Sequence, residues 1–149
     1  PFGSGFAKSA YNQLNFPKKR ISKECVEKII KPDKNYLIFG SEKEVLEFDN
    51  LKDQLNVCLV AHPEIWVSLS HIQLCKKIIA VDSSIKTMAL VKKIPTYLIV
   101  GDFPDETRDK FFINPYLESE YLQVFWTKDP KKNDKEIIEF IEKEVYKNN

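Results

Sequence analysis

The chain has 149 residues, of which 43% are hydrophobic and 12% aromatic, which excludes a disordered chain and allows one domain with a buried core. Its 23 basic and 22 acidic side chains leave a net charge of +1, so no nucleic-acid partner is predicted. No apolar run approaches the ~20 residues that span a bilayer, and no signal peptide is predicted. We therefore predict no transmembrane segment.

Short apolar runs alternate with helical patterns along the chain. The predicted helices run from Ser22 to Ile30, Ser41 to Leu51, Glu64 to Cys75, Ser83 to Lys92, and Asn133 or Asp134 to Tyr146. The predicted strands are Tyr36–Phe39, Val57–Val60, Ile78–Val81, Thr96–Val100 and Leu122–Trp126. This alternation predicts an α/β fold, in which residues 1–149 form a single Rossmann-like domain. We expect a parallel sheet of about five to six strands with helices on both faces.

The turn Asp82-Ser83-Ser84 lies between a predicted strand and a predicted helix. Open α/β sheets bind their ligands at the carboxyl ends of strands, and a helix N-terminus attracts anions. The two serines either cap the helix and do nothing more, or help its backbone N–H groups to hold a phosphate or diphosphate. Asp82, itself an anion, is expected to orient the loop or to accept a sugar hydroxyl.

A second polar turn, Gly40-Ser41-Glu42-Lys43-Glu44, also follows a strand and opens a helix. An acid in this place can accept the hydroxyls of a ribose. The alternative is that Glu42 and Glu44 only interact with the positive end of the helix dipole. The sequence leaves these two interpretations open.

Other polar groups give weaker signals. Gly3-Ser4-Gly5 with Lys8 resembles a glycine-rich anion loop but lacks the P-loop pattern. The basic run Lys18-Lys19-Arg20 is either a solvated loop or a phosphate contact. No catalytic Ser-His-Asp or Cys-His set is apparent.

The cysteines and histidines predict neither disulfides nor a metal site. Cys25, Cys58 and Cys75 each lie in an apolar pattern without a C-x-x-C pair, which predicts buried, reduced thiols in a cytosolic protein. His62 and His71 have no second ligand at metal-site spacing. We predict no metal, no cofactor, and a cytoplasmic location, with peripheral attachment to a membrane left open.

Several of these motifs together resemble the C-terminal half of a GT-B glycosyltransferase of the heptosyltransferase type, glycosyltransferase family 9. Asp82 to Ala89 keeps the spacing of that family's D-[ST]-G-x-x-H-L-A motif, and Pro95 follows where the family has Pro. Ser84 stands in place of the family's Gly, and Thr87 in place of its His. Loss of that His ring, which lies near the transferred sugar, predicts a different donor or a loss of activity.

The resemblance extends over most of the chain, in the same order and spacing. It includes the family's loop after its first strand, its K-x-W-P segment, its G-x-x-x-E loop, its S-L helix start and its P-Y pair. Here these are Pro1 to Gly5, Lys18-Lys19-Arg20, Gly40 to Glu44, Val67-Ser68-Leu69 and Pro115-Tyr116.

In that family this half binds a nucleotide-diphosphate sugar, so the resemblance implies a role for each loop. Ser83, Ser84 and Ile85 would offer amides to the diphosphate. Ser4, Gly5 and Lys19 would approach the same phosphates. Glu44, or as second choice Glu42, would hold the ribose. Trp66 and Val67 would flank the base, and Arg108 would close over the donor.

The resemblance also implies that the catalytic base lies in another, N-terminal half, so no residue here is predicted to be catalytic. The expected function is donor binding within a glycosyltransferase that acts on a surface glycan of the bacterial type or a similar acceptor. The partner would be an N-terminal domain or another chain, because the sequence begins at Pro1 in what looks like a loop after a strand. The alternative is a stand-alone Rossmann-like module that binds a nucleotide or a protein without catalysis.

Overall fold

The computed structural model describes residues 21–61, 64–101 and 119–147. It has five α-helices in these ranges: α1 (Lys23–Ile29), α2 (Glu42–Val45), α3 (Ile65–Ile72), α4 (Ser84–Val91) and α5 (Asp134–Ile141). The five strands are β1 (Tyr36–Gly40), β2 (Val57–Ala61), β3 (Ile78–Ala80), β4 (Thr96–Gly101) and β5 (Leu122–Thr127). None of the helices in these ranges is long and apolar enough to cross a membrane.

The predicted alternation of helices and parallel strands is confirmed, but the single sheet is not. β1 pairs in parallel with β2, while β3, β4 and β5 form a separate parallel sheet in that order. In the described residues the expected sheet of five to six strands is thus two sheets of two and three strands. Hydrophobic periodicity predicts individual strands, whereas pairing depends on long-range contacts that a local pattern does not contain.

The two sheets nevertheless share an apolar core on one face, and helix α1 packs against both of them on the other. On one face Phe39 and Val60 cluster with Ile78 and Ala80 of the other sheet, and with residues of α3 and α4. On the opposite face α1 contributes Cys25 and Ile29 to a cluster with Tyr97, Ile99 and α5. Its Val26 also packs against a cluster that includes β1 and β2 side chains. Helical layers on both faces therefore bridge the two sheets.

The segment predicted as one helix from Ser41 to Leu51 changes character after one turn. Helix α2 ends at Val45, and residues Leu46–Leu51 continue as a 3₁₀ helix. Phe48 leaves helical geometry (φ −105°, ψ 17°), and its side chain is only 1% exposed. Packing of the Phe48 ring thus prevails over the helical pattern.

Helix α4, which opens at the Asp82–Ser84 turn, is fixed at its far end by a Schellman motif. The N–H of Ile94 donates to the carbonyl of Ala89, and the N–H of Lys93 donates to Leu90, both at 3.0 Å. Lys93 has a φ of 58°, the left-handed conformation that this motif requires. Ile94 is buried with Ala89 in one cluster. The helix is therefore well defined at the end remote from the turn.

The three cysteines are free, but they are not all buried as the sequence predicts. Cys25 is buried between α1 and α5, and Cys75 is half-buried. Cys58 is exposed, although Val57 and Val60 of the same strand are buried. Burial, and to a smaller degree the Asp134 carboxylate, raise the pKa of the Cys25 thiol to about 12. Burial also raises the pKa of Cys75.

These differences predict selective thiol labelling of the native protein. At pH 8 we expect Ellman's reagent to modify Cys58 first, because the reactive species is an accessible thiolate. Cys25 should react only after unfolding in guanidinium, which restores an ordinary pKa. The Cys58→Ser variant should lack the fast phase, and a fast phase that survives this substitution would contradict the assignment.

Candidate functional site

The turn between β3 and α4 places three polar residues at the carboxyl end of a parallel strand. Asp82 follows β3 after one buried residue, and Ser83 occupies the N-cap position of α4 in an extended conformation (φ −159°, ψ 168°). Ser84 is the first residue of the helix and is exposed. The structure therefore confirms the strand-turn-helix arrangement predicted for this segment.

Ser83 does not cap the helix with its side chain, although it stands in the N-cap position. Its Oγ atom is buried and has no hydrogen-bond partner among the described residues. Ser22, at the start of α1, behaves differently, because its Oγ accepts a hydrogen bond from the Cys25 N–H at 2.9 Å. Ser83 therefore supplies no side-chain acceptor to the first-turn amides of α4.

A buried ion pair braces the same turn. Lys86 Nζ lies 2.6 Å from Asp82 Oδ1, and the two side chains are 5% and 13% exposed. The pair joins the residue before the N-cap to the first turn of the helix, so it holds the turn against α4. Lys86 is a site residue that the sequence reasoning missed. The Asp82-x-x-x-Lys86 spacing, which allows an i,i+4 pair on a helix surface, is the signal that could have found it.

Ile85 and Thr87 complete the start of α4. The Ile85 side chain is buried in the cluster with Phe39 and Val60, so only its backbone is available to a ligand. Thr87 is half-buried, and its N–H donates to the Ser83 carbonyl at 3.4 Å. Burial of Ile85 anchors the helix start to the core shared by the two sheets.

The Gly40–Glu44 turn uses one of its acids internally. Glu44 is 7% exposed, and its Oε2 accepts hydrogen bonds from the Ser41 N–H at 2.8 Å and the Ser41 hydroxyl at 2.7 Å. This is one half of a capping box. Glu42 is exposed in the same turn. The role of Glu44 toward a ribose stays a prediction, but one of its oxygens already has two donors.

The carboxyl ends of β1 and β3 lie on the same side of the fold. On the opposite side, where these strands begin, the Tyr36 hydroxyl of β1 lies 3.0 Å from the Tyr146 hydroxyl. Lys77, just before β3, donates to the carbonyl of the neighbouring Val145 at 2.6 Å. Both amino ends are thus held by adjacent residues of the C-terminal segment, so the turns at Gly40 and Asp82 leave on the other side.

The remaining predicted residues fall in two groups. Trp66, in the first turn of α3, is 73% exposed, and Val67 is half-buried with its carbonyl bound by Ser70 and His71. They begin a helix that follows β2 in the other sheet. The rest of the predicted set, Ser4, Gly5, Lys19 and Arg108, lies outside the described residues.

In comparisons with models of protein families, with curated proteins and with solved structures, nothing matched this chain.

Proposed function

We propose that this chain binds the diphosphate of a nucleotide-sugar donor at the first turn of α4, as the donor-binding half of a GT-B glycosyltransferase. Two independent lines support this proposal. One is the resemblance of Asp82 to Ala89, and of the loops around it, to the heptosyltransferase motifs. The other is the geometry of the β3–α4 turn.

The observation that carries the proposal is the helix start without a side-chain cap. Ser83 occupies the N-cap position, yet its hydroxyl accepts no hydrogen bond from an amide of the first turn. Ser84, the first residue of the helix, is exposed. The positive end of a helix dipole favours an anion within the first turn. A diphosphate would supply the acceptors that the serine side chain does not.

The Asp82–Lys86 pair makes this turn compatible with an anion. An aspartate so close to a helix N-terminus would otherwise repel a phosphate. Here its charge is compensated by an ammonium group 2.6 Å away, and both side chains are largely withdrawn from solvent. Asp82 thus orients the turn, which was one of the two roles expected for it.

For the nucleoside, the exposed groups of the neighbouring turns are the candidates. Trp66 offers an exposed ring for stacking on a base, with Val67 beside it. We assign the ribose hydroxyls to Glu42, since Glu44 already accepts two hydrogen bonds from Ser41. Thr87, in place of the family's His, would lie near the transferred sugar.

Sugar transfer would need more than this domain. The acceptor must be held in line with the donor, and a base must remove its proton in the same cleft. In GT-B enzymes these elements come from the other half. We expect the chain alone to bind the donor without turnover, and its partner to be an N-terminal domain or a second chain.

Substitutions at Ser84 test the proposal because this position tolerates proline. Proline is favoured at the first position of a helix, and the extended Ser83 suits the residue before proline. Ser84→Pro removes one amide N–H, and we expect it to weaken donor binding about 10- to 100-fold, the effect of one hydrogen bond to a charged group. Titration calorimetry with UDP-glucose, GDP-mannose and ADP-glucose measures this.

The matched control is Ser84→Ala, which keeps the amide and removes only the hydroxyl. It should bind within about threefold of the parent chain, because the backbone donor is the stronger contact. A CMP-sugar, with one phosphate, should bind more weakly than the diphosphate donors. The proposal fails if no nucleotide sugar binds at millimolar concentration, or if Ser84→Pro binds as well as the parent.

A further inference from the structure

The helices α3 and α4, which share one face of the fold, differ from α1 and α5 in charge. α1 has two acids and two lysines, and α5 has three acids and one lysine. α3 has no acid, lysine or arginine, and the single lysine of α4, Lys86, is buried in its pair with Asp82. The exposed charges of the α3–α4 layer therefore lie beyond the ends of its helices.

Three exposed lysines follow the C-terminal ends of these two helices. Lys76 comes after α3, and Lys92 and Lys93 come after α4. The two segments lie side by side, because the Ile78 N–H donates to the Pro95 carbonyl at 2.8 Å and β3 and β4 begin in register there. The lysines thus form one basic group where these two adjacent strands begin.

Two exposed aliphatic side chains precede the lysines. Leu74 is 75% exposed before Lys76, and Val91 is 69% exposed before Lys92. We call Leu74, Lys76, Val91, Lys92 and Lys93 the α3–α4 patch. Removal of its two aliphatic side chains from water would be favourable. The patch therefore combines apolar surface with concentrated positive charge.

The surroundings of the patch do not cancel its charge. Residues 65–95 contain five lysines and one acid, a net charge of +4 in a chain whose total is +1. The acid is Asp82, which is buried in its ion pair. On neighbouring elements, Glu120 is exposed before β5, whereas Glu142 and Glu144 each pair with a lysine of their own. The patch keeps an excess of positive charge, which complements an anionic surface.

The composition of the patch favours a lipid surface over a protein partner. Protein interfaces are enriched in aromatic residues and arginine and depleted of lysine, whereas the patch contains lysine and aliphatic residues only. Lysine is a compact charge on a flexible stem, which suits diffuse attraction better than bidentate recognition of a carboxylate. Lysines beside exposed leucine and valine are typical of a surface that rests on anionic headgroups.

We infer that the α3–α4 patch attaches the chain to the surface of an anionic lipid bilayer. The ammonium groups lie at the level of the lipid phosphates, and Leu74 and Val91 enter the boundary between headgroups and acyl chains. The Asp82 turn is at the other end of α4, about 10 Å away along the helix. The patch and the candidate donor site are therefore separate, and the inference does not rest on the proposed function.

Cosedimentation of the chain 1–149 with lipid vesicles tests the inference. The chain should bind vesicles in which phosphatidylglycerol is a third of the lipid at least about tenfold more tightly than vesicles of phosphatidylcholine alone. Raising the NaCl concentration about tenfold should weaken this binding, because salt screens the lysines. The inference is overturned by absence of binding to the anionic vesicles or by equal binding to both kinds. Sedimentation without lipid would also overturn it, in favour of self-association.

A lysine double variant tests the charged half of the patch. Lys76→Gln with Lys92→Gln should weaken binding to the anionic vesicles about 10- to 30-fold, since one lysine near such a surface contributes about fivefold. The matched control is Lys128→Gln with Lys131→Gln, the same loss of charge at two exposed lysines after the carboxyl end of β5. The control should bind within about threefold of the parent chain. Equal losses in the two double variants would mean that net charge alone decides binding, and would refute the patch.

An alanine double variant tests the apolar half. Leu74→Ala with Val91→Ala should weaken binding about 10- to 100-fold, because fewer carbon atoms leave water. The matched control is Leu46→Ala with Leu55→Ala, at side chains that are 62% and 107% exposed outside the patch. If the two double variants bound equally well, insertion of the patch would be wrong. None of these measurements involves a nucleotide, so failure here leaves the proposed function to its own test.

Discussion

Asp82→Ala is expected to lower the free energy of unfolding by about 3–5 kcal/mol, the range for removing one partner of a buried ion pair. Lys86 is 4% exposed, and the substitution takes away a carboxylate 2.6 Å from its ammonium group. The Lys86 charge is largely withdrawn from water, so loss of the carboxylate beside it raises the cost of keeping that charge buried. Urea denaturation followed by circular dichroism measures the change, provided that the m-value is unaltered.

Two further variants separate the ion pair from a general effect of losing an acid. Glu139→Ala removes the acid of the Lys135–Glu139 pair, which has the same i,i+4 spacing but lies 90% and 67% exposed at 3.9 Å. It should cost no more than about 0.5 kcal/mol. Asp82→Ala combined with Lys86→Met should recover much of the loss, because the buried charge is gone. Similar small losses for Asp82→Ala and Glu139→Ala would contradict the account of the turn.

Leu98→Ala is expected to cost about 2–5 kcal/mol, because a buried leucine loses its apolar contacts and leaves a cavity. Leu98 is fully buried on β4, the central strand of its sheet, and packs with Leu122, Val124 and Trp126. A strand paired on both sides has little freedom to relax around the cavity. Thermal and urea denaturation of the variant provide the measurement.

The matched control is Leu74→Ala, the same chemical change at a leucine that is 75% exposed. It should change the free energy of unfolding by about 0.5 kcal/mol or less, as is usual for surface positions. If Leu98→Ala proved as mild as Leu74→Ala, the packing assigned to β4 would be wrong.

Much of the local structure could be predicted from the sequence. The strand Ile78–Val81 and the helix from Ser83 were read from four apolar residues followed by small polar ones, and the structure has β3 and α4 there. Ser22 was predicted to cap α1 and does so. These features depend on neighbours within a few residues, which is why a local pattern is sufficient for them.

What the sequence did not predict depends on distant partners. The division into two sheets arises because β1 pairs with β2 and β3 pairs with β4, and no local pattern encodes these pairings. Capping of α4 by the Ser83 hydroxyl is one of the two interpretations that the sequence allows for the turn. Only the geometry shows that this hydroxyl does not cap the helix. Cys58 occupies an apolar run and is nevertheless exposed, whereas Val57 and Val60 of the same strand are buried.

The Gly40–Glu44 turn shows how two roles can compete for one residue type. Both the ribose role and the helix-start role call for an acid after a strand. In the structure Glu44 is turned back onto Ser41, and the Cβ of Glu44 lies only 3.1 Å from where a side chain on Gly40 would begin. That close approach favours the absence of a side chain at Gly40. Glu42 is left as the exposed acid of the turn.

The most direct test of the account is the response of individual backbone amides to a nucleotide diphosphate. In a titration of the ¹⁵N-labelled chain with ADP, UDP and GDP, we expect the largest shift changes at Ser84 and Ile85, in the first turn of α4. The amides at the far end of the helix, near Lys92, should shift little. Shifts of similar size at both ends of α4, or none at Ser84 and Ile85, would contradict diphosphate binding at this turn.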